Sequence, residues 1–94
     1  MPSSLEAIAA FTQDPALASQ AAARMEHLRL HIADTLGMML QGSLLAEGKM
    51  AMALGSPLVG WCASARLTEA DDIHLTSCTT PGCVVVPAAL HLAS

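Results

Sequence analysis

From Glu69 to His74 the chain reads E-A-D-D-I-H, which places Glu69, Asp71, Asp72 and an imidazole within one short stretch. Adjacent carboxylates beside a histidine divide acid and base roles, because crowding of like charge raises the pKa of one carboxyl group. After Leu75 come the hydroxyl and thiol groups of Thr76, Ser77, Cys78, Thr79 and Thr80, and the run ends at Pro81-Gly82. Such a loop is equipped to cradle a small carboxylate through side-chain and backbone donors. The competing reading is a solvated loop whose acids cap the neighbouring helices.

Two other groupings have metal-ligand character. His27 and His31 stand at i and i+4 on one helix face, the spacing of a two-histidine metal pair. The zincin pattern also requires Glu directly after the first His, where this chain has Leu28. The pair therefore reads as a polar flank with His31 directed at Asp34, and no metal or other cofactor is expected. Cys78 and Cys83 near His74 have the spacing C-x4-C, at the edge of structural zinc patterns and without a second ligand pair. Cys62, within G-W-C-A-S-A, reads as a small core residue.

Helices must position these groups. Ser3 and Glu6 match the S-x-x-E capping box, and Leu5, Ile8 and Phe11 then share one face of a short helix. Asp14 is placed to cap a second helix with Pro15 as its first residue. Leu17, Ala21, Met25, Leu28, Ile32, Leu36 and Met39 recur at helical spacing and predict one long amphipathic helix. Gly37 interrupts it, at a cost of about 1 kcal/mol against Ala, which suggests a close helix crossing there. Ser43 is then expected to cap a third, weaker helix over 44–54, closed by Gly55 and Pro57. "LVGWCASARL" predicts a buried helix and 66–82 a polar loop. "CVVVPAALHLAS" mixes strand and helix signals; Pro87 at a first-turn position favours a helix, with its valines fully buried. The expected fold class is all-α.

Composition narrows the partners. Of 94 residues, 53% are apolar and only 13% charged, against roughly a quarter charged in ordinary domains. Mean hydropathy is +0.50. A surface so poor in charge is expected to associate with further copies or to belong to something larger. The formal net charge of −4, the scattered Arg24, Arg29, Lys49 and Arg66, and the lack of Tyr argue against nucleic acid and anionic membranes. No apolar run approaches the ~18–20 residues of a membrane span. Three cysteines and an N-terminus without a basic n-region fit free thiols in a cytoplasmic protein.

Two blocks bring a family into view. "HIADTLGMMLQGS" (His31 to Ser43) resembles the D-T-L-G helix near the start of MmgE/PrpD-family proteins, which include 2-methylcitrate dehydratase and cis-aconitate decarboxylase. "EADDIHLTSCTTPGCVVVPAALHLAS" is similar, without gaps, to that family's acidic block leading through Pro-Gly to Pro-Ala-Ala-Leu. Together the two cover most of residues 25–94. The resemblance implies the N-terminal part of a large all-helical domain in a longer protein. It also implies cofactor-free lyase chemistry, dehydration or decarboxylation, on small di- and tricarboxylates; some relatives are epimerases, with proton abstraction beside a carboxylate as the common step.

Position by position, the family's paired aspartates fall on Asp71 and Asp72 and its following histidine on His74, which the resemblance makes the catalytic candidates. The first loop aspartate falls on Glu69, one methylene longer. The threonine between aspartate and histidine is Ile73 here, and the histidine before Pro-Gly is Thr80. Glu69, Arg66 and Thr80 are the expected substrate-binding residues, with Arg66 the one local cation for a carboxylate. The expectation is thus a single helical segment over 1–94, an incomplete domain. Its partners would be a small carboxylate and either further copies or the remainder of a longer chain. A truncated, non-catalytic helical association protein is the alternative, and an epimerase of the same lineage a third.

Overall fold

A computed structural model describes residues 1–94, and the fold is all-helical: six helices, 70% of the chain, with no strand or sheet. Helix α1 (Ser4–Thr12) starts at the expected capping box: Ser3 Oγ accepts from the Glu6 N–H at 3.3 Å, and Glu6 accepts from the Ser3 N–H at 2.7 Å. Both partners lie within one turn, so the local chain suffices to build the cap.

The single long helix is not formed. Arg24, at φ −110° and ψ 13°, separates α2 (Leu17–Ala23) from α3 (Met25–Leu44). Asp14 does not cap α2 directly; its Oδ1 accepts from the Ala16 N–H at 2.8 Å, and Pro15 lies in a turn ahead of the helix. Helix α2 buries no residue and takes no part in the principal helix packings, so tertiary packing does little to hold it in line with α3. Nothing in the residue types at 24 explains the break.

Helix α3 also runs past the expected stop. Ser43 does not cap the next helix; its hydroxyl donates to the Leu40 carbonyl at 2.7 Å, inside α3. Leu45, in extended conformation and without a side-chain cap, separates α3 from α4 (Ala46–Met52). Gly55 takes φ +81° and ends that segment, a conformation that favours glycine. Pro57 does not close the segment; it opens α5 (Pro57–Leu67) behind Ser56, whose Oγ accepts from the Val59 N–H at 3.5 Å.

Helix α5 is the centre of the molecule. It packs against α3, α4 and α6, while α3 also touches α4 and α6. The close crossing falls at Gly42 rather than Gly37. A Cβ at Gly37 meets nothing within 4 Å, whereas one at Gly42 overlaps the backbone carbonyl of Ser64. The core is small, with Ala65, Cys83 and Val86 its buried apolar residues.

Helix α6 (Gly82–Ala93) starts five residues before Pro87, which therefore sits inside the helix. Of the three valines, Val86 is 8% exposed, while Val84 and Val85 are each 60% exposed. Only one face of α6 finds a neighbour, so the expected full burial does not occur. No helix is long and apolar enough to cross a membrane.

Candidate functional site

The loop between α5 and α6 is tied at both ends. At its start the Thr68 hydroxyl donates to Met38 Sδ on α3 at 3.3 Å, and Glu69 turns the chain with φ 53°. In its middle, the His74 N–H donates to the Thr79 carbonyl at 2.8 Å, with Cys78 at φ 51° in the intervening turn. At its end, Gly82 enters α6.

Asp71 and Asp72 point to different partners. The Asp71 side chain is 3% exposed and accepts from Arg66 Nη1 at 3.1 Å through Oδ1. Its Oδ2 is buried without a hydrogen-bond partner. Glu69 joins the same guanidinium from outside, Oε1 to Nη2 at 3.6 Å. Arg66 is thus held by two acids, which occupies the local cation expected for a carboxylate.

Asp72 turns toward the start of α6, where its Oδ1 accepts from the Gly82 N–H at 2.9 Å. A Cβ on Gly82 would collide with that carboxylate and would lie 2.8 Å from Thr35 Oγ1. Thr35 is buried on α3. The tight junction Thr35–Gly82–Asp72 therefore needs glycine for close approach.

His74 makes a third, separate group. Its Nδ1 lies 2.7 Å from Ser77 Oγ, which lies 2.8 Å from Thr79 Oγ1. No hydrogen bond links His74 to either aspartate. Thr80 Oγ1 pairs with Cys83 Sγ at 3.4 Å, and Ile73 is exposed. The six sequence-selected residues thus form Arg66–Glu69–Asp71, Asp72 at the helix start, His74 with its hydroxyls, and Thr80 on the Cys83 thiol. Asp71, Asp72 and His74 do not converge on one point.

What converges on Asp72 comes from α3. A cavity of about 280 Å³ is lined by His27, Leu30, His31, Asp34 and Asp72. A second, of about 220 Å³, includes His31, Asp72, Pro81 and Gly82. An imidazole and a carboxylate thus share two adjoining concavities at the α6 start. The i, i+4 spacing singles out His27 and His31 in the sequence, but nothing local joins them to the loop. His31 does not turn to Asp34; its Nε2 lies 3.2 Å from His27 Nε2, with the rings edge to face.

The cysteines form no ligand set. Cys83 is buried and donates to the Thr80 carbonyl at 3.0 Å, Cys78 is exposed, and Cys62 is half-buried. No group of three or more His, Cys, Asp or Glu side chains is assembled to hold a metal. Burial pushes the Cys62 thiol pKa up, and Cys83 nearby adds to the shift.

Compared with protein-family models, with curated proteins and with solved structures, the chain matches none.

Proposed function

We propose that the chain is the N-terminal helical portion of an MmgE/PrpD-like lyase, cofactor-independent and cytoplasmic, acting on small di- or tricarboxylates. The observation that supports this reading is the junction Thr35–Asp72–Gly82, where the two resembling blocks meet although they are far apart in sequence. Asp72 and His31 then line the same concavities, which supply a carboxylate and an imidazole for proton transfer beside a substrate carboxylate. In this reading Asp71 acts through Arg66, and His74 with Ser77 and Thr79 forms the rim. The substrate's charge needs cations beyond Arg66, which partner copies or a longer chain would supply.

The test is turnover of 2-methylcitrate, cis-aconitate and related acids by the product of the whole source reading frame. Asp72→Asn and His31→Gln are expected to lower kcat about a hundredfold or more, the scale of general acid–base catalysis, and His74→Ala, at the rim, by less. Proton exchange with solvent deuterium, without dehydration or decarboxylation, would assign the epimerase variant of the same chemistry. Absence of turnover and of exchange on every acid would overturn the lyase reading.

A second reading is favoured by the wide exposure of Leu5, Ile8, Phe11, Leu40, Leu44 and Leu92: a non-catalytic helical protein acting by association. Light scattering on the purified chain tests it, and a strictly monomeric, well-folded species would count against it.

A further inference from the structure

We propose that His27 and His31 form a chelating site for a divalent first-row transition-metal ion of the nickel, copper or zinc type. This goes beyond the lyase reading and does not depend on it.

The geometry carries the inference. The two Nε2 atoms lie 3.2 Å apart on successive turns of α3. With metal–nitrogen bonds of about 2.1 Å, that separation subtends about 100° at a shared ion, between octahedral and tetrahedral values. A hydrogen bond at that distance requires one ring to donate and the other to accept. Both rings are exposed. On binding, therefore, the donor ring carries its proton on Nδ1 instead of Nε2, and rotation of the two side chains turns both Nε2 lone pairs to a common point without disturbing the core.

Neither histidine has another hydrogen-bond partner, so binding breaks only the bond it replaces. Imidazole nitrogen selects the nickel–copper–zinc end of the first-row series over magnesium or calcium. The adjoining cavity of about 280 Å³ gives room for water ligands. Asp34 and Asp72 on its wall face those waters, as acceptors for their protons and as negative charge toward the cation. With no third protein ligand assembled, the ion keeps open, water-filled positions, and the affinity is modest.

A chelated ion also clamps two turns of α3 directly after the break at Arg24. Binding to the folded state alone raises stability. The site is therefore read out in thermal unfolding as well as in binding.

The experiment is a titration of Ni2+ into the 94-residue chain carrying Cys78→Ser, which removes the exposed thiol. Calorimetry and circular-dichroism melting follow the titration. One ion per chain and a rise in Tm are expected. His27→Ala and His31→Ala should each weaken binding by about tenfold or more, the loss of the intramolecular second ligand, and abolish the rise. His91→Ala, on α6, should leave both unchanged. Undiminished binding in either His27→Ala or His31→Ala, or no binding by the parent chain, would overturn the assignment. Since both positions are exposed, the variants are expected to melt like the parent without metal. A His31→Gln variant that melts with the parent yet keeps the nickel-induced rise would overturn it equally.

Discussion

At the scale of the residue, the paired aspartates illustrate how neighbours in sequence diverge in duty. Asp71 is almost fully buried and depends on Arg66, itself 46% exposed. Removing the guanidinium leaves a buried carboxylate alone; removing the charge at 71 leaves a cation that water can reach. Arg66→Ala is therefore expected to destabilise by about 1–3 kcal/mol, below the fully buried range because solvent screens the pair. Asp71→Asn should cost less, and the double variant should recover part of the Arg66→Ala loss; urea unfolding of all three reads this cycle. Glu69→Ala, on the exposed side, should change stability by about 0.5 kcal/mol or less. The thiols divide similarly: Cys78 should be alkylated first by iodoacetamide, with Cys62 slower because burial raises its pKa. Mass spectrometry of partly labelled protein gives the order.

Among the elements, helix α1 carries its own pH response. Its capping box lowers the Glu6 pKa from the ordinary 4.5, through the backbone and then the hydroxyl of Ser3. A depressed folded-state pKa contributes stability that is present above 4.5 and lost as pH falls through the lower folded value. Acid titration of helicity at residues 4–12 by NMR should show that loss, and Glu6→Gln should remove it. Tertiary contact rules at the α3–α5 crossing. Gly42→Ala favours helix by about 1 kcal/mol in isolation, yet the added methyl overlaps the Ser64 carbonyl. Net destabilisation of about 1–3 kcal/mol is expected on melting, whereas Gly37→Ala, with open space, should stabilise.

Those elements also show what one sequence reveals. Ser3 and Glu6 were legible because each is the other's partner one turn away. The all-helical class was legible, though as five helices where the structure has six, because periodicity and Pro or Gly punctuation are local signals. Gly37 and Gly42 look alike in sequence; only the carbonyl of Ser64, from another helix, tells them apart. Pro87 looked like a helix start because the loop's bond from Gly82 to Asp72, which begins α6 earlier, joins residues ten apart. At the candidate site, Asp71, Asp72 and His74 were visible by type. Their separation into three groups was not, since it depends on Arg66, Gly82 and Ser77. The approach of His31 to Asp72 comes entirely from the packing of α3 against α6.

On the scale of the whole molecule, the Cα radius of gyration is 15.3 Å, against about 12 Å for a compact chain of this length. The excess fits the position of α1 and α2, which take no part in the principal helix packings. Leu5, Ile8 and Phe11 consequently remain exposed. Replacing Ile8 and Phe11 by Ser should leave thermal stability within about 0.5 kcal/mol, as expected for largely exposed side chains. The same change should reduce self-association in light scattering. Loss of helical folding in that double variant would show instead that α1 supports the core.

The proline inside α6 has a consequence for how the molecule opens. Pro87 has no N–H to give the Cys83 carbonyl, so the helical ladder is interrupted after its first turn. That first turn is secured from behind, by Asp72 on the Gly82 amide and by the Pro81 carbonyl on the amides of Val84 and Val85. The loop and the first turn should therefore open as one cooperative unit, separate from residues 88–93. In amide hydrogen exchange, Gly82 and Val85 should share the exchange rate of His74, whose amide holds Thr79 across the loop. The amides beyond Pro87 should follow a rate of their own, making this short helix two kinetic pieces on either side of a single ring.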